Sequence, residues 1–138
     1  MKRQLLRRAA AILALPALLL MLTACGRVYG AQRITGASTR FSPAELDAAM
    51  DTVVRHFLLH FEGCTLTELC YDEELSDRAA AEWAEQYGAR DAIVLTSSFR
   101  VGAHSDGSLS PNTTYTRWQW ILTCDIPGVW TLRTWGYG

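Results

Sequence analysis

The stretch FSPAELDAAMDTVVRHFLLHFEGCTLTELCY, residues 41–71, decides the fold. Ser42 can accept from a free N–H group at a helix start, Pro43 suits the first helical position, and Glu45 stands where a capping box needs it. Phe41 and Leu46 flank that start as a hydrophobic staple. Leu46, Met50, Val53, Val54, Phe57 and Phe61 then recur at helical spacing and predict one apolar face, with Gly63 ending the helix. From residue 64 the period drops to two. Cys64, Leu66, Glu68 and Cys70 fall on one side and Thr65, Thr67, Leu69 and Tyr71 on the other, which predicts a strand.

Downstream, Asp72, Glu73 and Glu74 suit the first turn of a second helix, with Ser76 as a candidate cap. Ala80, Trp83, Ala84 and Tyr87 form its apolar stripe, and Gly88 is a natural stop. Residues 92–101 are rich in β-branched and aromatic types and predict a strand. Residues 102–114 are dense in Gly, Ser, Asp, Pro and Asn and predict a long loop. Strands at 115–124 and 129–135 are joined across Asp125-Ile126-Pro127-Gly128. Helices preceding a run of strands imply an α+β domain over 41–138. The expected form is an N-terminal helix packed on a four-stranded, mostly antiparallel sheet, with a second short helix between strands 1 and 2.

Upstream, Lys2, Arg3, Arg7 and Arg8 precede an apolar run at 9–22 that is broken only by Pro16. That is the pattern of a secretion signal, and it is shorter than the roughly 20 residues of a membrane-spanning helix. Leu22-Thr23-Ala24-Cys25 closely resembles the lipobox of bacterial lipoproteins. The resemblance implies cleavage before Cys25, a thioether-linked diacylglycerol on its sulfur, often acylation of the new amino group, and residence on the extracytoplasmic side of a cell membrane. Two or more chains give a stable anchor. The resulting division is a signal peptide at 1–24, a flexible tether at 25–40 and the domain at 41–138. Residues 26–40 hold few large apolar side chains and predict a leash of roughly 20 Å.

The helix and strand order is similar in outline to cystatin-like and nuclear-transport-factor-like domains. The ending, Trp118-x-Trp120-Ile121-Leu122 and then Gly128-x-Trp130-x-Leu132-x-x-Trp135-Gly136-Tyr137-Gly138, resembles that of small domains on other bacterial lipoproteins. That resemblance brings no catalytic residue to transfer.

Without residues 1–24 the chain keeps nine arginines, no lysine and 14 acidic residues, a formal charge of -5. Nucleic acid and anionic lipid surfaces need clustered basic residues, so this balance argues against both as partners. Cys64 and Cys70 lie about 20 Å apart along one extended segment, beyond disulfide reach. Buried free thiols are expected, with a Cys70 to Cys124 bridge as the alternative. The spacing offers no zinc site.

His56 and His60 share a helix face, but Phe57 stands where a zinc protease has glutamate. His104-Ser105-Asp106 holds the residue types of a serine triad, yet sequence neighbours do not place the base between nucleophile and acid. Glu68, Asp72, Glu73, Glu74 and Asp77 lack the intervals and glycine of a calcium loop. Asn112-Thr113-Thr114 is a sequon without weight by itself. The tryptophans carry the functional expectation. Trp118 and Trp120 project from one face of a strand, Trp130 and Leu132 share a face of the next, and Trp135 falls on the opposite face, near Tyr137. Trp118, Trp120 and Trp135, with the loop at 102–114, are the candidate ligand-binding surface. The expectation is a lipid-anchored, non-catalytic binding or accessory module of the cell envelope, without cofactor, recognising a surface ligand or envelope protein. The alternative is a small hydrolase or isomerase using a pocket between helix and sheet.

Overall fold

The structure, a computed structural model, describes residues 25–137. The proposed signal at 1–24 lies outside the described residues. The elements run β1 (Gln32–Thr35), α1 (Pro43–His60), β2 (Cys64–Tyr71), α2 (Glu73–Gln86), β3 (Asp91–Val101), β4 (Thr114–Cys124) and β5 (Thr131–Tyr137). The five strands form one mixed sheet in the order β1-β2-β3-β4-β5, with β1 parallel to β2 and the other pairs antiparallel.

The α+β class stands, and the expected four strands become five. Residues 32–35, read within the tether, pair with Glu68, Leu69, Cys70 and Tyr71 of β2. The segment before them is also tied down: the Gly26 N–H donates to Leu58 O, the Arg27 N–H to Cys64 O, and the Leu66 N–H to Arg27 O. Backbone hydrogen bonds to the free edge of β2 do here what side-chain burial could not, since β1 itself is exposed throughout.

α1 begins as its sequence dictates. Ser42 Oγ accepts from the Glu45 N–H, and the Glu45 carboxylate accepts from the Ser42 N–H at 2.8 Å. Phe41 and Leu46 are both buried at this end. Leu46, Ala49, Met50, Val53 and Phe57 pack on the sheet face formed by Leu66, Leu69, Ile93, Leu95, Phe99, Trp120 and Leu122.

α2 covers part of the other face. Ala92 and Val94 alternate with the core-facing Ile93 and Leu95, and all four are buried. The buried Ser76 accepts the Val94 N–H at 3.0 Å, beyond the end of β2. The cap is Asp72, whose carboxylate accepts the Leu75 N–H at 2.9 Å. Ser76, expected to cap, instead satisfies a strand N–H that has no ladder partner.

Three bulges redirect faces along the sheet. Thr67 is an extra residue in β2, between Leu66 opposite Phe99 and Glu68 opposite Ser98. Leu69 and Tyr71 therefore join Cys64 and Leu66 in the core, while Glu68 and Cys70 turn to the other face, which corrects the simple alternation. In β4 the bulge falls at Arg117, φ +56°, and brings Tyr115 to the same side as Trp118 and Trp120. In β5 it lies between Leu132 opposite Leu122 and Thr134 opposite Ile121.

Cys70 and Cys124 lie on opposite faces, opposite Thr96 and Asp91 of β3, which removes the disulfide alternative. Cys64, Cys70 and Cys124 are free thiols, the first and last buried.

Candidate functional site

At the end of the sheet where β2 and β4 begin and β3 and β5 finish, the core opens into a cavity of about 400 Å³. Phe61, Leu109, Trp118 and Trp135 supply its apolar walls, and His60, Glu62, Cys64, Asp106 and Ser108 its polar lining. The end of α1 and the turn after it carry residues 60–62 to the mouth. The loop between β3 and β4 carries Asp106, Ser108 and Leu109 across it.

Close backbone packing sets the loop. Gly63, at φ +72°, lets the chain reverse after α1, and a Cβ there would lie 2.0 Å from His104 O. The Gly102 N–H donates to Gly63 O and the Asn112 N–H to Gly102 O. Ser105 Oγ donates to Leu109 O, and Asp106 Oδ1 accepts from both the N–H and the hydroxyl of Ser108. His104-Ser105-Asp106 is therefore turn chemistry: its hydroxyl and carboxylate are engaged within the loop.

Trp135 reaches the cavity because of the β5 bulge. The extra residue puts Trp135 opposite Trp120, on the core side with Leu132, rather than on the opposite face as alternation implied. Its ring is stacked 6.2 Å from that of Trp120 and 4.2 Å from His56, and it remains 41 % exposed. Trp118 is half-buried among Phe61, Phe99, Tyr115 and Tyr137, and its buried Nε1 has no hydrogen-bond partner. Trp120 lies beneath rather than in the wall: it is fully buried and donates Nε1–H to Ser97 Oγ at 2.8 Å. Of the three tryptophans read as a ligand surface, two line the cavity and the third supports them. Trp130 belongs elsewhere, packed edge-on against Phe41 and donating to Glu45 O.

The electrostatics of the site follow from burial and from the loop. Burial, with a smaller contribution from the Asp106 charge, pushes the Cys64 thiol up to about 11. The two hydrogen bonds from Ser108 hold the Asp106 carboxyl below the usual carboxylate value. Burial lowers the pKa of His56, and the neighbouring His60 adds to the effect. The two imidazoles stand 4.4 Å apart, centre to centre, and His56 Nε2 is buried without a partner. Among the described residues, no three His, Cys, Asp or Glu side chains converge to hold a metal ion.

The acidic run after β2 is spent on structure. Asp72 caps α2, Glu73 accepts the Thr39 N–H, Glu74 pairs with Arg78, and Arg40 bridges Asp77 and Asp91. Sequence reading missed Glu62 and Cys64 as lining groups and weighed His60 only as a metal ligand, while Asp106 fell within the loop at 102–114 assigned to the binding surface. Glu62 gives no signal, being one polar residue after an amphipathic helix, and Asp106 marks only a turn.

Cys25, the cysteine of the lipobox-like stretch, is exposed and one residue from the Gly26 hydrogen bond to Leu58. It stands at the same end of the sheet as the cavity. Tyr29 and Leu59, 99 % and 63 % exposed, belong to the same two chain segments. No described helix is long and apolar enough to cross a membrane. Comparison with protein families, with curated proteins and with solved structures returns no match.

Proposed function

We propose that this chain is a lipid-anchored extracytoplasmic binding module, held to the membrane through Cys25 and taking a small ligand or a partner side chain in the cleft walled by Trp118 and Trp135. The observation that carries the reading is the placement of Trp135. A large ring left 41 % exposed, backed by Trp120 and His56 and facing a concave space, is a stacking platform rather than core. The basic and apolar pattern of residues 1–22 and the lipobox at 22–25 support the anchor.

The alternative, a small envelope hydrolase or isomerase, would draw on the titratable groups of the same cavity. Cys64 is its one thiol, and burial keeps that thiol protonated at neutral pH, opposite to what a nucleophile needs. This supports binding over thiol chemistry.

Two measurements test the proposal. Intact mass and membrane fractionation of the full chain beside Cys25→Ala should show a lipid increment and membrane recovery for the wild type alone; equal masses and equal partition would remove the anchor. Ligand-observed NMR with a library of small soluble fragments should give hits that compete for one site and vanish in Trp135→Ala. Hits indifferent to that substitution would remove the cleft.

A further inference from the structure

We infer that the cleft selects a small organic ammonium cation, an inference that rests on the cleft being a binding site. Its lining pairs two indole rings, Trp118 and Trp135, with two carboxylates, Glu62 and Asp106, and includes no arginine. Aromatic faces attract a cation through their quadrupole, and most strongly when the cation is an indole's neighbour. The two carboxylates are themselves exposed, at the rim of a cleft whose walls are largely aromatic, and they bias its potential negative toward the mouth. Two of these groups are held in place by something other than a ligand. Trp135 is packed against Trp120 and His56, and the Asp106 carboxylate is held by Ser108.

The negative charge is also felt within the cavity. Asp106 is held ionised by its two hydrogen bonds, and its charge reaches the Cys64 thiol in the same lining. A neutral polyol could stack on Trp135 but would gain nothing from the charge of the two carboxylates, while His60 is the one basic side chain among the described residues of the lining. An ammonium group on an apolar body answers both the rings and the carboxylates.

Acetylcholine and its neutral carbon isostere, 3,3-dimethylbutyl acetate, differ chiefly in charge and serve as probes, with maltose as a neutral sugar. Calorimetric titration of the full chain in detergent should show acetylcholine binding about tenfold more tightly than the isostere. Glu62→Gln and Asp106→Asn, each checked for folding by circular dichroism, should weaken acetylcholine several-fold and leave the isostere nearly unchanged; Trp135→Ala should weaken both. Equal affinity for acetylcholine and its isostere, or binding of maltose alone, with loss in Trp135→Ala, would overturn the cation preference and keep the cleft. Binding of none of the three would overturn the cation preference, and fragment hits dependent on Trp135 would then decide whether the cleft itself survives.

Discussion

Trp120 carries more of the site than its burial suggests. Its ring supports Trp135 from behind, and its N–H, the one polar atom of the side chain, is satisfied by Ser97 Oγ. Ser97→Ala should leave that buried donor unpaired and cost about 1–3 kcal/mol in a urea titration. A change under a few tenths would show that the hydrogen bond adds nothing. Gly63 plays the corresponding part for the loop. Alanine there meets both a positive φ and His104 O, so Gly63→Ala should lower stability by about 2 kcal/mol or more and move the amide resonances of residues 102–113. An unshifted loop would contradict the packing. Gly63 was legible as a helix stop, but its contact with His104 was not, because the contact depends on a loop about 40 residues later.

At the scale of elements, α1 was the most legible because its signals are local. The cap, the proline, the glutamate and the apolar spacing all lie within 41–61 and agree. Ser42→Ala should cost about 1 kcal/mol, seen as a lower urea midpoint with an unchanged slope. No change in midpoint would mean that the staple of Phe41 and Leu46 holds the end alone. The strands were found nearly in place, yet the faces of β2 and β5 were misread beyond their bulges. A bulge adds one residue with no fixed signature, and a period-2 pattern inverts beyond it. Thr67 moved Leu69 and Tyr71 into the core, and the extra residue of β5 moved Trp135 into the cleft. β1 was missed for another reason: four exposed residues show no burial pattern, and their pairing is a matter of backbone alone.

For the molecule as a whole, the pairing of aromatic rings around His56 ties stability to pH. Burial puts the folded His56 below its ordinary 6.5, so the unfolded chain takes up a proton first as pH falls. Its contribution is undiminished above about 6.5 and declines as pH drops from there toward the lowered folded value. The melting temperature should therefore fall between pH 7 and pH 5, and His56→Phe, which keeps a ring against Trp135, should flatten that fall. An equal fall in the variant would assign the pH dependence to other groups.

The backbone bonds that hold Gly26 and Arg27 against α1 and β2 leave almost no slack between Cys25 and the folded body. On an acylated Cys25 the domain would be a bracket rather than a kite. A domain of this size has a radius of gyration of about 13 Å, so its cleft would work within a film some tens of ångströms deep. Encounter would then be largely two-dimensional: a ligand that travels along the bilayer meets the cleft at a rate set by lateral diffusion, while one in bulk solution must first enter that film.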